Sequence, residues 1–408
     1  MPWVGVLILV FGVAVPMKPI QQLISGVFAT ATLVVWVFLS LVMVPIPLGL
    51  DTAIEELTVA VLLSVIFPSL LCVGIGYMAA HQIRQLSERL QEAHELGSYR
   101  LIEKLGGGGM GEVWRAQHQM LARPAAIKLL RHIRTDPDDP RTATLLERFE
   151  REVQATSQLR SPHTVEVYDY GFTSEGVFYY VMELLDGTHL EELVAATGPQ
   201  QPGRVIEILR QAASSLAEAH SLGLVHRDVK PANMMLCRVG LEEDFMKVLD
   251  FGLVKAAVGS DEGPVLTAEF SFAGTPAYAA PEVAKYGATH ATGQSDLYSL
   301  GCVGYWLLTG QQVFPGGTPI QILAKHIGDQ PPPPSQHLPT PLPGDLEGLI
   351  MRCLGKDPSA RPDGPAGFLA ELERCVVPAP WDQVAARAWW ARHGATLRGT
   401  NPEEDTAI

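Results

Sequence analysis

Four polar residues near the middle of the chain have the types and spacing that phosphate chemistry requires. Asp228, Lys230 and Asn233 lie together in the segment HRDVKPANMML, and Asp250 follows a short apolar run in KVLDFG. A carboxylate can orient a hydroxyl group, a lysine ammonium can neutralise a phosphate, and carboxylate and amide oxygens are ligands that Mg²⁺ prefers. Each residue alone could be an ordinary loop residue, but their order and spacing favour a shared site.

A glycine-rich segment upstream could bind phosphate groups through its backbone. Gly106, Gly108 and Gly111 have the spacing G-x-G-x-x-G. Glycine allows a turn to approach a phosphate closely and to present backbone N–H groups to it. A glycine hairpin without a ligand, or a Rossmann turn, would show the same spacing. The following residues EVWRAQH predict a strand, however, whereas a Rossmann turn enters a helix at this point.

A lysine and a glutamate between these segments could complete the site. Lys128 lies in the strand-like run AAIKLL, and Glu152 lies in a helix predicted at about residues 144–158. A lone lysine is usually an exposed surface charge, but at the end of a buried strand opposite the glycine loop Lys128 is well placed to hold phosphates. We predict that Glu152 pairs with Lys128; the alternative is that Glu152 is an ordinary exposed charge of its helix.

Taken in order, these segments resemble a eukaryotic-type (Hanks-type) protein kinase, close to the bacterial membrane-bound serine/threonine kinases. The matching elements are GGGGMGEV, AAIK, the helix glutamate, HRDVKPAN, DFG at residues 250–252 and APE at residues 280–282. The resemblance covers about residues 99–375. It implies an α+β, bilobal protein-kinase fold with a β-rich N-lobe and an α-rich C-lobe, which transfers the γ-phosphate of ATP to Ser and Thr hydroxyls.

The resemblance also implies a role for each motif residue. Asp228 would be the catalytic base and Lys230 a phosphate contact, while Asn233 and Asp250 would bind Mg²⁺. ATP would be held by residues of the glycine loop, the lysine strand, the helix and the hinge: Leu105, Gly106, Gly107, Gly108, Gly109, Met110, Gly111, Val113, Lys128, Glu152, Glu183 and Leu185.

Two features of the resemblance indicate a Ser/Thr enzyme rather than a Tyr enzyme. Lys230 stands two residues after Asp228, and the segment GTPAYAAPE at residues 274–282 has the Ser/Thr form. Two structural roles are also implied: Asp296 would support the catalytic loop, and Arg361 would bind Glu282.

The alternatives to an active protein kinase are a pseudokinase scaffold and a small-molecule kinase. The loss of a motif residue would favour the scaffold, and segment 274–282 argues against the small-molecule kinase.

The segment between DFG and APE is expected to regulate the enzyme. Thr267 lies eight residues before Thr275, a spacing that matches the phosphorylated position in similar bacterial kinases, and Ser271 is the second choice. A phosphate would add a charge of about −1.5 to −2, and Arg227 would bind it and so order the loop. The alternative is that Thr267 is only an exposed loop residue, in a loop that is ordered by its own apolar contacts.

Charge is distributed very unevenly along the chain. The 408 residues carry a formal net charge of −14, yet the charged residues of segment 1–80 are only Lys18, Asp51, Glu55 and Glu56. Segments 19–50 and 57–80 are uncharged, and each is long enough for a helix across a bilayer core of about 30 Å. We predict a transmembrane anchor of two to three helices in residues 1–80 rather than buried helices of a soluble core. Residues 3–17 are either a third span or a signal-like segment.

The basic residues that follow the anchor predict its orientation. Arg84, Arg89 and Arg100 come directly after the last uncharged stretch, so the rest of the chain is expected in the cytoplasm. We therefore expect a multi-pass protein of the cell (inner) membrane with a cytoplasmic kinase domain. Residues 81–98 are predicted to be a juxtamembrane helix and linker. An apolar stripe on residues 81–96 would pack on the adjoining domain or form a homodimer.

The remaining segments support a protein-directed function. The acidic net charge argues against binding of nucleic acid, so the expected partners are proteins that carry Ser or Thr. Pro331–Pro343 is either a connection between C-lobe helices or a ligand for a proline-reading module. In the tail, residues 376–408, we expect Trp381, Trp389 and Trp390 to pack on the domain. The five cysteines form no C-x-x-C pair, which favours reduced thiols.

Overall fold

The computed structural model describes residues 95–108, 111–134, 150–173, 176–251 and 275–397, together with residues 75, 78, 81 and 82. The chain divides into two compact units, Met1–Leu96 and Gly97–Ile408. Among the described residues, no helix is long and apolar enough to cross a membrane. The predicted anchor lies almost wholly outside the described residues. The helix predicted over residues 81–96 is wrong at its end, since Glu95–Leu96 form a short strand, β1.

In the second unit, the N-terminal lobe is built on an antiparallel sheet. Its strands are β2 (Tyr99–Gly108), β3 (Gly111–His118), β4 (Pro124–Arg134), β5 (Val167–Phe172) and β6 (Val177–Glu183). They lie in the order β2-β3-β4-β6-β5. A helix between β4 and β5, called α1 here, is described over residues 150–156. These elements confirm the predicted strands after the glycine loop and around Lys128.

The register between β4 and β6 decides which side chains share a face. Lys128 lies opposite Tyr180, and Ala126 lies opposite Met182. Side chains of directly opposed residues project to the same side of an antiparallel sheet. Five consecutive residues in the middle of β6, residues 178–182, are buried, because both faces of this strand are covered. Tyr180 therefore points to the same side of the sheet as Lys128.

The C-terminal lobe is mainly helical. Its helices are α2 (Leu190–Thr197), α3 (Pro202–Ser221), α4 (Pro281–Tyr286), α5 (Gly293–Thr309), α6 (Pro319–Gly328), α7 (Gly344–Cys353), α8 (Gly364–Leu372) and α9 (Gln383–Leu397). Apolar residues of α3, α5, α7 and α8 form one large core. The segment Pro331–Pro343 joins α6 to α7, which confirms its prediction as a connection between C-lobe helices.

Helix α5 shows how the local sequence sets an element's limits. Thr292 and Ser295 form a capping box at its start, so two backbone N–H groups that have no partner within the helix are satisfied. Gly310 follows the last turn in the left-handed region, with φ of 69°, a conformation that glycine adopts without steric cost. The helix between these limits is nearly all buried and carries Asp296 toward the catalytic loop.

A small three-stranded sheet connects two of the predicted site residues. Its strands are β7 (Gly187–His189), β8 (Met234–Val239) and β9 (Glu242–Val248), in the order β7-β8-β9. Asn233 directly precedes β8 and Asp250 follows β9. The backbone N–H of Leu249 donates to the carbonyl oxygen of Asn233 at 2.9 Å. The hairpin therefore brings Asn233 and Asp250 to its open end.

The C-terminal tail packs on this hairpin, as the three tryptophans predicted. The indole N–H groups of Trp381 and Trp390 donate to Asp244 at 2.8 and 2.5 Å. Arg204 binds the same carboxylate through Nε and Nη2 at 2.8 and 2.7 Å, and its guanidinium carbon lies 3.8 Å from the centre of the Trp389 ring. Arg204 and Asp244 form a fully buried ion pair whose oxygens are satisfied, which is the condition under which such a pair is tolerated.

Candidate active site

A buried carboxylate on α5 holds the catalytic loop in place. Asp296 accepts hydrogen bonds from the backbone N–H groups of His226 at 2.8 Å and Arg227 at 2.9 Å. Its side chain is 2% exposed. Arg227 has a φ of 65°, a region that costs a non-glycine residue energy and persists only where surrounding contacts enforce it. The predicted role of Asp296 is therefore confirmed: its two bonds hold the strained backbone directly before Asp228.

A fully buried histidine links this loop to the segment that carries Asp250. The backbone N–H of Asp228 donates to His226 Nδ1 at 3.2 Å, so Nε2 carries the proton and donates to the carbonyl oxygen of Leu249 at 2.9 Å. The His226 ring also packs on Phe251, with 4.6 Å between the ring centres. His226 therefore fixes the spacing of the two acidic segments, a role that the sequence analysis did not assign.

Asp228, Lys230 and Asn233 come together as their spacing predicted. Lys230 Nζ lies 2.8 Å from Asp228 Oδ2. The side-chain amide of Asn233 donates to the same oxygen and to the backbone carbonyl of Asp228, at 2.9 Å in each case. The short 3₁₀ turn Pro231–Asn233 places the asparagine beneath the carboxylate. Oδ2 of Asp228 thus receives two donors.

The second acidic residue, Asp250, is bound by two side chains of the N-terminal lobe. Lys128 Nζ contacts its Oδ2, and the hydroxyl of Tyr180 donates to its Oδ1. Burial raises the pKa of Asp250, but the charge and hydrogen bond of Lys128 and the hydrogen bond of Tyr180 outweigh burial and hold that pKa below its ordinary value. Asp250 is therefore ionised at neutral pH. Its φ of 57° lies in the left-handed region.

The predicted pair between Lys128 and Glu152 is wrong for this structure. Glu152 binds Arg227 instead, with Oε1 3.3 Å from Nη1, while Lys128 binds Asp250. The register of β4 and β6 sets Tyr180 beside Lys128, and both side chains face the carboxylate of Asp250. This explains why Lys128 pairs with Asp250 rather than with Glu152. Burial raises the pKa of Glu152, and the Arg227 charge offsets this in part. Among the described residues, Glu152 Oε2 has no hydrogen-bond partner.

The glycine loop forms the hairpin between β2 and β3, and its glycines differ in how closely other atoms surround them. Gly108 pairs with Gly111 across the hairpin. A Cβ atom on Gly111 would lie 2.0 Å from the carbonyl oxygen of Leu129, so close packing on β4 requires glycine there. A Cβ on Gly106 would meet no described atom within 4 Å. The backbone at Gly106 is therefore open to a ligand. Gly109 and Met110 lie outside the described residues.

The remaining predicted contacts to the nucleotide lie in the N-lobe and the hinge. Val113 and Leu185 pack on the apolar cluster of the lobe, while Leu105 is 49% exposed and Gly107 is exposed. Glu183 ends β6 and binds Lys247 of β9, with 2.6 Å between Nζ and Oε1. This buried lysine joins the hinge, residues 183–185, to the small sheet. Lys247 was not identified from the sequence.

Asn233 and Asp250 offer oxygen atoms of the kind that a divalent metal ion binds. Both are oxygen ligands at one end of the β8–β9 hairpin, and Asn233 uses its amide nitrogen for Asp228, so that no described donor occupies its Oδ1. Within the described ranges there is no cluster of three or more His, Cys, Asp or Glu. Magnesium sites commonly combine one or two protein oxygens with substrate phosphates, which fits this small donor set.

The side of the site expected to receive substrate is supported by an ion pair. Arg361 donates to Glu282 through Nη1 and Nη2, each at 2.8 Å, and Ser295 donates to the same carboxylate at 2.7 Å. This confirms the predicted pair. A cavity next to it is lined by Asp228, Thr275 and neighbouring residues. The proposed phosphorylation positions Thr267 and Ser271 lie outside the described residues.

Comparison with known proteins gives a consistent result. The family model described as "protein kinase domain" matches residues 99–370. The chain is 38% identical over 276 residues to serine/threonine-protein kinase pkn3 of Myxococcus xanthus, which is 67% of this chain and 49% of that protein. It is 38% identical over 285 residues to serine/threonine-protein kinase PknB of Mycobacterium tuberculosis, which is 69% of this chain and 43% of that protein.

Solved structures show the same likeness. The kinase domain of Mycobacterium tuberculosis PknI, as a C20A_R136A double mutant, matches with a TM-score of 0.51 and 26% identity. The match covers 68% of this chain and 96% of that one. The chain spans half or less of the length of the curated relatives named above.

Proposed function

This chain belongs to the protein kinase family, and on that premise we propose that it transfers the γ-phosphoryl group of ATP to serine and threonine hydroxyls of proteins. The observation that carries the proposal is the environment of Asp228, whose Oδ2 lies 2.8 Å from Lys230 Nζ and 2.9 Å from Asn233 Nδ2. Asp228 accepts the proton of the attacking hydroxyl, and Lys230 neutralises charge on the transferred phosphoryl group. Positioning and charge provide most of this catalysis.

ATP and a divalent metal ion are the cofactors used throughout this family, and magnesium is our specific proposal. When bound by Asn233 and Asp250, magnesium would supply charge neutralisation on the phosphates. The open backbone at Gly106 fits close approach of phosphates, and Lys128 contacts Asp250, one of the two proposed metal ligands. Segment 274–282 and the placing of Lys230 support Ser and Thr as acceptors.

A labelled-ATP assay on the full chain tests the activity. Asp228→Asn and Lys128→Met are expected to abolish transfer to the protein itself or to a generic protein substrate, and the exposed Asp329→Asn serves as the matched control. Transfer at the wild-type rate by Asp228→Asn would show that the catalytic assignment is wrong. Label only on a small molecule would indicate a metabolite kinase, and nucleotide binding without any label would indicate a pseudokinase scaffold.

We further propose that residues 1–80 anchor the chain in the cell (inner) membrane, with the kinase domain in the cytoplasm. The support is the pair of uncharged stretches and the basic residues that follow them. An apolar stripe, Ile83, Leu86, Leu90 and Ala93, supports a homodimer contact next to the membrane. The full chain is expected to remain with carbonate-washed membranes, and a chain that lacks residues 1–80 is expected to be released. Retention of the shortened chain would contradict the anchor.

Control by phosphorylation at Thr267, with Ser271 as second choice, is also part of the proposal. Its support is the spacing to Thr275 and the presence of Arg227, whose guanidinium now binds Glu152. A phosphate with three acceptor oxygens would compete for that guanidinium. Thr267→Ala is expected to lower activity well below that of the phosphorylated protein. Active enzyme whose peptide 253–274 is unmodified in mass spectra would refute this control.

A further inference from the structure

Tyr180 carries a hydroxyl group that its packing does not require. The ring lies in the apolar cluster of the N-terminal lobe, between residues such as Leu130 and Phe178, and the side chain is only 1% exposed. Phenylalanine would fill the same space. A hydroxyl buried without a partner costs free energy, so the position of its acceptor matters. Among the described residues, that acceptor is the carboxylate of Asp250.

The two donors to Asp250 differ in how freely they can move. Lys128 contacts Oδ2 through a flexible four-carbon chain, which allows its ammonium to exchange one oxygen for another. Tyr180 reaches Oδ1 from β6, which is bonded on both sides by neighbouring strands. Its ring cannot follow an exchange of that kind. If Lys128 turned to the phosphates of ATP, Oδ2 of Asp250 would become available while Oδ1 stayed bonded to Tyr180.

From this difference we propose that Tyr180 is a positioning residue for the divalent metal ion, because its hydroxyl holds the Asp250 carboxylate in the orientation that presents Oδ2. The inference rests on the proposed function, since it requires Asp250 to be a metal ligand. Carboxylates that bind metal ions are usually held by hydrogen bonds of their own, and removal of such a bond typically lowers metal affinity about 10–100-fold.

The chain provides a matched control on the same strand. Tyr179 directly precedes Tyr180, so its side chain projects to the opposite face of the sheet. Its ring lies against Gly171 and its exposure is also low. Tyr179→Phe therefore removes a hydroxyl from the same strand and leaves Asp250 untouched. Tyr180→Phe removes the bond to Asp250 with nearly the same change in shape.

The test measures metal binding directly on the full chain. Free Mn²⁺ is followed by electron paramagnetic resonance in the presence of ADP. Tyr180→Phe is expected to bind Mn²⁺ about 10-fold more weakly than the wild type, whereas Tyr179→Phe should stay within twofold. Tyr180→Met, a second variant without the hydroxyl, should behave like Tyr180→Phe. An unchanged Mn²⁺ affinity in Tyr180→Phe overturns the inference, and so does a wild type that retains no Mn²⁺.

Kinetics separate this inference from the proposed function. At saturating Mg²⁺, Tyr180→Phe should regain the wild-type kcat, with the loss confined to the Mg²⁺ concentration that gives half the maximal rate. A lower kcat at every Mg²⁺ concentration, together with normal Mn²⁺ affinity, would show that the hydroxyl acts in some other way. If the wild type transfers no phosphate but Tyr180→Phe still weakens Mn²⁺ binding, the proposed function fails and the positioning role of Tyr180 stands.

Discussion

Glu152 and Arg227 form an ion pair, with 3.3 Å between Oε1 and Nη1, and the pair joins helix α1 to the catalytic loop. It leaves Lys128 with Asp250 rather than with Glu152. In the arrangement that the family resemblance implies, Lys128 would pair with Glu152 and Arg227 would bind a loop phosphate. Lys128, Glu152 and Arg227 take part in both arrangements and exchange partners between them, so a bound nucleotide or a phosphate can favour one arrangement over the other.

Removal of the Glu152 charge should lower the activity without lowering the stability of the fold. Because burial raises the pKa of Glu152 above its ordinary value, its ionised form is less favourable in the folded protein than in the unfolded chain. Glu152→Gln is therefore expected to keep or slightly raise the melting temperature. If bound nucleotide shifts Lys128 from Asp250 to Glu152, phosphoryl transfer by this variant should fall about 100-fold, because Lys128 would lose the partner that positions it. Glu150→Gln on the same helix is the control, and a lower melting temperature for Glu152→Gln alone would contradict this account.

The ion pair of Glu282 and Arg361 should make stability depend on pH in the acid range. Burial raises the pKa of Glu282, but the hydrogen bonds from Arg361 and Ser295 and the Arg361 charge hold it below 4.5. The ionised form is favoured in the folded state, so this stabilisation is complete above pH 4.5 and is lost as the pH falls through the lower, folded-state pKa.

Glu282→Gln is therefore expected to reduce the free energy of unfolding by about 1–3 kcal/mol at pH 7. The difference from the wild type should shrink as the pH falls below 4.5, which urea unfolding at several pH values would measure. Glu242→Gln, an exposed position on β9, should show no such trend. A difference between wild type and Glu282→Gln that stays constant down to pH 3 would argue against the assigned titration.

The buried ion pair on which the tail packs is expected to contribute directly to the stability of the C-terminal lobe. Asp244→Asn leaves the buried guanidinium of Arg204 without its carboxylate, and the removal of one partner of a buried pair costs about 3–5 kcal/mol. Thermal unfolding should show a correspondingly large loss. Asp363→Asn, an exposed residue whose side chain caps no helix, is the control. Equal melting temperatures for both variants would mean that the buried pair of Arg204 and Asp244 contributes no stability.

A glycine at the start of α3 provides a second test of the docked tail, in which only the sign of the effect is needed. A Cβ atom on Gly203 would lie 2.3 Å from the carbonyl oxygen of Ala379. Gly203→Ala should therefore destabilise the protein by about 1–3 kcal/mol, as overpacking does. Gly348 in α7 meets nothing within 4 Å, and Gly348→Ala should stabilise by about 0.5–1 kcal/mol. Stabilisation by both substitutions would show that the tail is not held at Gly203.

Short-range features of the site were predictable from the sequence, and the choice of long-range partners was not. Asp228, Lys230 and Asn233 lie within one turn and loop, so their spacing along the chain sets their spacing in the fold. The partner of Lys128 depends on how α1 and the sheet are placed, and two carboxylates compete for its charge. The strand register that sets Ala126 opposite Met182 also places Tyr180 beside Lys128, and this register could not be inferred from the sequence.

The tail illustrates the same limit on sequence reasoning. Three tryptophans in a short segment predicted packing on the domain, because such large apolar rings are rarely left exposed. The acceptor of their indole N–H groups could not be inferred, since Asp244 looks like an ordinary acidic residue of a hairpin. Only the fold brings it together with Arg204, which is buried at the start of α3.

The docked tail also bears on the order in which the protein forms during synthesis. Asp244 and its donor Trp390 are separated by 146 residues. At about 5–20 residues per second, the ribosome needs on the order of 10 s to produce the second after the first. Throughout that interval Arg204 and Asp244 of the nascent C-terminal lobe lack the tryptophan side chains that pack on them in the folded protein. Completion of this lobe is therefore a late, non-local step, and the emerging chain depends on helix α9 to close a surface formed much earlier.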